Sequence, residues 1–193
     1  MEIQENKATQ IMDVAQELMQ IRGYNAFSYA DIAEQVGIRK ASIHYYFPSK
    51  ADLAREVAVR YRAFSRSMMA QGDKQWPDPR TKLEQAIRGL GRMLYDHNRI
   101  CLCGMLAAEL PTIPEEVRVE VRGYFTDIET WLAKVMAEGV EAGVVRVSGT
   151  AEEEARLIMA AIEGALMVAR AFNDTERLQS VAERLLDRII VRE

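Results

Sequence analysis

The 26 residues from Ser28 to Leu53, SYADIAEQVGIRKASIHYYFPSKADL, leave few choices to a chain that contains them. Ser28 can cap a helix, and Asp31 stands three residues on, the spacing of a capping box. Ile32, Ala33 and Val36 space as one apolar face. Gly37 follows at the point where a left-handed residue ends a helix without a Cβ clash. Arg39 to Phe47 predicts a second short helix with Ile43 and Phe47 inward, and Pro48 stops it. Ser49 and Asp52 repeat the capping-box spacing and open a third helix. Two short helices meeting at a glycine turn outline a helix-turn-helix, whose second helix enters the DNA major groove.

Charge bears on this in two ways. The chain carries a formal net charge of −4, which by itself argues against a nucleic-acid partner. Its distribution reverses that argument. Between Val36 and Arg66 stand Arg39, Lys40, Lys50, Arg55, Arg60, Arg62 and Arg66 against Asp52 and Glu56 alone. Phosphate affinity follows local charge rather than the total. The plainer reading of such a run is a solvated helix face.

The run from Gly37 to Leu53 resembles the signature of the tetracycline-repressor (TetR) family of bacterial regulators. Gly37, Lys40, Ser42, Ile43, Tyr45, Tyr46, Phe47, Pro48, Ser49, Lys50 and Leu53 carry the match, with Gly23, Phe27 and Ile32-Ala33 fitting upstream. Arg39 departs from the family's usual capping Ser, which weakens the cap of the second helix. His44 departs from the usual Tyr, at a position expected to meet phosphate. The resemblance implies an all-α fold: a three-helix DNA-binding head at residues 1–49 and a helical ligand-binding and dimerisation body at 50–193. It implies a sequence-specific transcriptional regulator, a repressor released by a small-molecule or electrophile effector. Ser28, Tyr29, Arg39, Lys40, Ser42, His44, Tyr45, Tyr46 and Lys50 are the expected DNA contacts. Lys40, Ser42 and Tyr45 would meet base edges, and Tyr29, His44, Tyr46 and Lys50 phosphates. The expected partners are a near-palindromic double-stranded operator, a small-molecule inducer and a second copy of the chain, joined through residues about 150–190.

The rest of the chain reads as helix. Hydrophobic residues are 49% and aromatics only 7%, which favours helix over sheet. Ile11, Val14, Ala15, Leu18 and Ile21 mark a first helix, ending near Gly23. A long helix is expected from Lys50 to about Ala70, then a loop to Asp78 and a helix opened by Asp78-Pro79 that ends near Asn98. A short apolar helix over Ile100 to Leu110 is closed by Pro111, and Pro114-Glu115-Glu116 opens a long one to Gly139–Gly143. Residues 144–149 read as a loop or short extended piece. Thr150 and Glu153 form a third capping box, and Asn173-Asp174 separates the last two helices. The total is about nine helices. Ala161, Gly164, Ala165 and Ala169 leave room for close helix approach.

No catalytic motif stands out: there is no HExxH, GxSxG, Walker loop or glycine-rich turn after a strand. The chain is read as no enzyme, with no cofactor and no metal. Cys101 and Cys103 lack a His or Cys partner nearby and make a poor zinc site. On a helix, residues two apart point about 200° away from each other, so both thiols could not serve one site. The plain reading is two small buried hydrophobes. The alternative is a thiol-based redox- or electrophile-reactive protein or enzyme using Cys101. The segment from Cys101 to Leu110 is similar to its counterpart in TetR-type repressors that respond to N-ethylmaleimide; Cys101 falls on their reactive cysteine. Phe64, Met68, Met93, His97, Cys101, Met105, Glu109 and Phe125 are the expected ligand-lining residues. His97 has a structural reading too, near a helix end where a cation suits the dipole. Glu109 and Glu163, set in apolar stretches, could bind a polar or cationic group or pair with an Arg. No run approaches the roughly 20 apolar residues that span a bilayer, so a cytoplasmic protein is expected, without a membrane partner.

Overall fold

The computed structural model describes residues 2–93 and 99–192. Among these, nine α-helices account for the architecture: α1 (Glu2–Arg22), α2 (Tyr29–Val36), α3 (Lys40–Tyr46), α4 (Lys50–Gln75), α5 (Pro79–Met93), α6 (Leu102–Ala108), α7 (Glu115–Glu141), α8 (Ala151–Phe172) and α9 (Glu176–Ile189). A 3-10 turn, Leu110–Thr112, lies between α6 and α7.

The helices form two compact units. The first holds residues 1–63 and 102–123: α1 to α3, the start of α4, α6 and the start of α7. Its core is built from Ile11, Ala15 and Leu18 of α1, Ile32 of α2, Ile43 of α3, Leu53 and Val57 of α4, and Leu102 and Leu106 of α6, all buried. α1 packs on α2 and on α6, and α2 on α3. Arg60 of α4 pairs with Asp13 of α1 at 2.7 Å and donates to Gln16 at 3.0 Å.

The second unit holds residues 64–101 and 124–193. Leu83 and Ile87 of α5, Leu132 and Met136 of α7, Ile158, Ile162 and Leu166 of α8, and Leu178, Leu186 and Ile189 of α9 are buried in it. α9 packs on α8 and α5. Glu154 of α8 is buried and receives Arg188 of α9 on both carboxylate oxygens, at 2.7 and 2.8 Å. The piece after α7 is extended at one point only: Val145 bridges Ile190 in antiparallel fashion, with Arg146 N–H donating to the Ile189 carbonyl.

Helix ends follow the local chemistry. The boxes at Ser28/Asp31, Ser49/Asp52 and Thr150/Glu153 are all formed. Asp78 accepts from Thr81 N–H at the start of α5, and Asn173 ends α8 in the left-handed region at φ 49°. Two boundaries differ from the sequence reading. α4 continues through Gly72 to Gln75 instead of giving way to a loop; Gly72 is buried, and a Cβ there would meet the Trp76 ring at 3.3 Å. The apolar segment at 100–110 is helical only from Leu102 to Ala108. The expected end of α5 near Asn98 lies outside the described residues.

Candidate nucleic-acid interface

α2 ends at Gly37, whose φ of +70° places it in the left-handed region. Its N–H and that of Ile38 both return to the Ala33 carbonyl. That turn redirects the chain into α3, which buries Ile43 and leaves the other face outside. Arg39, Lys40, His44 and Tyr45 are exposed, and Ser42 and Tyr46 are half-buried. Tyr45 is 71% exposed although it is a large aromatic, and it meets Tyr46 edge-on at 5.2 Å. Six of the nine expected DNA residues therefore share α3 and its N-cap. Arg39 occupies the N-cap with no side-chain bond to the helix. The guanidinium is thus not spent on capping.

The other three hold the head together. The Ser28 hydroxyl accepts from Ala30 N–H and donates to Asp31 at 2.7 Å, so it is committed to the cap of α2. Tyr29 was expected at a phosphate. Its ring is 5% exposed, and its hydroxyl donates to the Phe47 carbonyl at 3.0 Å, tying α2 to the end of α3. Burial, then the charge of Asp52, then Tyr24 push its phenol up to about 12. Lys50, also expected at a phosphate, donates to the Phe27 carbonyl and sits over the rings of Phe27 and Tyr24, at 4.1 and 4.7 Å. Burial lowers its pKa, opposed by the charges of Glu109 and Asp31. His44 keeps its place on α3 with one ring nitrogen engaged: Nδ1 lies 3.1 Å from the Pro48 carbonyl.

The expected ligand-lining residues divide between the units. Phe64 and Met68 are exposed on α4, and Phe125 is half-buried, edge-on to Tyr124 at 5.3 Å. Cys101 is fully buried, with Sγ 3.7 Å from the Tyr124 hydroxyl. Glu163 joins them: burial raises its carboxyl pKa, and a hydrogen bond with the Cys101 thiol works the other way. Its Oε1 is buried without a hydrogen-bond partner among the described residues. Met105 and Glu109 belong to the first unit. The Glu109 carboxylate accepts from the α1–α2 turn at Tyr24 and Asn25. His97 and the side chain of Met93 lie outside the described residues. Cys103 is buried in α6, whereas Cys101 precedes that helix. Sequence reasoning assigned no contact to Asn25, Tyr124 or Arg188; each acts through a contact more than 20 residues away.

α8 carries an exposed apolar row: Leu157, Met167, Val168 and Phe172. Phe172 is 64% exposed and lies under the Arg177 guanidinium at 4.0 Å. Between α8 and α9 runs an open groove of about 660 Å³ lined by Ala161, Gly164, Ala165, Val168, Arg177 and Val181.

A capped helix, a left-handed glycine and a short helix with a basic, aromatic outer face define a helix-turn-helix DNA-binding protein. The profile of bacterial regulatory proteins of the tetR family matches residues 11–57, and that of the LmrA/YxaF-like transcriptional regulator C-terminal domain matches residues 79–184. A solved TetR-family regulator from Agrobacterium tumefaciens is 37% identical, with a TM-score of 0.93, covering 97% of this chain and all of that one. The HTH-type regulator YxaF of Bacillus subtilis, itself uncharacterized, is 27% identical over 182 residues, 91% of each chain. The reduced form of Escherichia coli NemR shares the fold at a TM-score of 0.84 and 18% identity, covering 97% and 98% of the two chains. The chain belongs to the TetR family and is a helix-turn-helix transcriptional regulator. That family is regulatory, and the alternative of a thiol enzyme is not favoured. No described helix is long and apolar enough to cross a membrane.

Proposed function

We propose that this regulator is a homodimeric repressor that binds a near-palindromic operator in the cytoplasm and is released when an effector enters its body. Residues 1–49 read DNA in this account, and residues 50–193 receive the effector and the second copy. The observation that carries it is the outer face of α3, where Lys40 and Tyr45 are exposed and Ser42 is half-buried. Lys40 can donate to guanine, and a Tyr ring can meet a thymine methyl. Arg39, His44 and Tyr46 flank them toward the phosphates. Two copies joined through α8 and α9 would set their α3 helices about 34–36 Å apart, one helical turn of DNA. The exposed apolar row on α8 supports that joining, since monomers seldom leave such a patch open.

The test is a gel shift with DNA flanking the protein's own gene, at several salt concentrations. A retarded band of two copies per site, weakening steeply with salt, is the expected result. A monomer at micromolar concentration bound to one half-site would defeat the dimer.

The effector reading rests on Cys101, with Tyr124 and Glu163 beside it. N-ethylmaleimide treatment of wild type, Cys101→Ser and Cys103→Ser decides it. Release by wild type and Cys103→Ser alone is expected. Equal release by Cys101→Ser leaves a reversibly bound ligand as the effector.

A further inference from the structure

Glu109 follows α6 directly, and its carboxylate is filled by one turn of the head. Tyr24 N–H donates to Oε2, and Asn25 donates to Oε1 twice, through its backbone N–H at 3.2 Å and its side-chain amide at 3.0 Å. Consecutive backbone N–H groups in a turn form an anion-binding concavity. Gly23 makes the close approach possible. It sits at φ +85°, and a Cβ there would lie 2.7 Å from the Glu109 carboxylate. The reverse side of the arrangement is closed as well. The Asn25 amide donates to Thr112 Oγ1 at 2.7 Å, and Thr112 donates to the Glu109 carbonyl through both its N–H and its hydroxyl, at 2.9 Å each.

The turn that Glu109 holds opens the connection between α1 and α2, residues 23–28. Lys50 holds the same connection from α4, through the Phe27 carbonyl and the rings of Tyr24 and Phe27. Arg22, at the end of α1, lies 3.6 Å from Asp31 in the cap of α2. Beyond the turn come the Ser28 cap and Tyr29, whose hydroxyl binds the carbonyl at the end of α3. Hydrogen bonds at Tyr24 and Asn25 on one side and at Tyr29 on the other, joined by the short chain between them, therefore link Glu109 to the end of α3, although Glu109 lies 84 residues from Asn25 in the chain.

We propose that Glu109 is a positioning residue for operator recognition: its carboxylate sets the α1–α2 turn, and through it the placement of α3, without touching DNA. A brace that only added stability would lower specific and non-specific DNA binding together, by depleting folded protein. A positioning residue lowers the specific term more, because base contacts need α3 in place while phosphate attraction follows local charge.

The experiment measures Kd for an operator selected from random-sequence duplexes and for an unrelated duplex, in wild type, Glu109→Ala, Glu109→Gln and Asn25→Ala. Helicity and dimer state are checked for each. Glu109→Ala is expected to lose at least about tenfold in the specific-to-non-specific ratio, a change of about 1.4 kcal/mol, with its salt slope on the operator unchanged. Glu109→Gln, which keeps an acceptor, should recover part of the loss, and Asn25→Ala should show a smaller loss. A ratio within twofold of wild type in folded Glu109→Ala overturns the proposal. If that variant does not fold, unchanged ratios in both Glu109→Gln and Asn25→Ala overturn it equally. A wild type that selects no site would count against DNA reading itself, which leaves the two failures distinct.

Discussion

Tyr29 shows how one residue can be recruited by its own fold. Its position one residue after a cap suggests a hydroxyl presented outward. The ring is instead buried, and the hydroxyl donates to the Phe47 carbonyl at the end of α3. Tyr29→Phe should destabilise the protein by about 1 kcal/mol, read by urea unfolding. The sign of its pH dependence follows from the raised pKa. The folded state holds the phenol proton more tightly than the unfolded chain does, so stability is complete below pH 10 and lost as pH rises toward about 12. The wild type should lose stability over that interval more steeply than Tyr29→Phe. Glu163 obeys the same sign at the acid end. Burial raises its carboxyl above the ordinary 4.5, so the fold opposes its ionisation as pH climbs through the raised value. Glu163→Gln should therefore raise the melting temperature at neutral pH, with the gain vanishing below pH 4.5 in a pH series of thermal melts. An unchanged difference across that series would refute the assignment.

Among the elements, α3 has little stability of its own. It is seven residues long, and its N-cap Arg39 makes no side-chain bond to it. Isolated helices of that length are unstable in water, so α3 depends on Ile43, Phe47 and the Tyr29 tie. Arg39→Ser should supply the missing cap and stabilise the head by about 0.5–1 kcal/mol. The same substitution removes a cation from the DNA face, so the salt slope of operator binding should fall by about one. Measuring both on one variant separates the helix's stability from its reach to phosphate. A stability gain with no change in slope would place Arg39 off the DNA.

For the whole molecule the deciding surface is α8. Met167, Val168 and Phe172 are large, apolar and exposed, and an open groove between α8 and α9 has Ala161, Gly164 and Ala165 on its α8 side. Val168→Glu should leave the helical content intact and shift the protein to monomer in sedimentation or light scattering. Operator affinity should fall at least about tenfold, because two half-sites no longer act together. Full operator affinity in a monomeric variant would break the link between assembly and DNA binding.

The parts that the sequence by itself determined are those whose physics is local. Three capping boxes, the left-handed Gly37 and the Asp78 and Asn173 ends depend on residues a few positions apart, and each is present as read. The outer side of α3 was legible in part for the same reason, since helical spacing alone sets Tyr45 nearly opposite Ile43. Tertiary structure alone decided what the polar side chains do. Tyr29 reaches a carbonyl 18 residues away, Lys50 one 23 away, and Glu109 a turn 84 to 85 away. A side chain's type says that it can donate or accept. Only the fold says which backbone group is left needing it, because an unsatisfied N–H or C=O arises where chain segments meet, and no local pattern records that meeting.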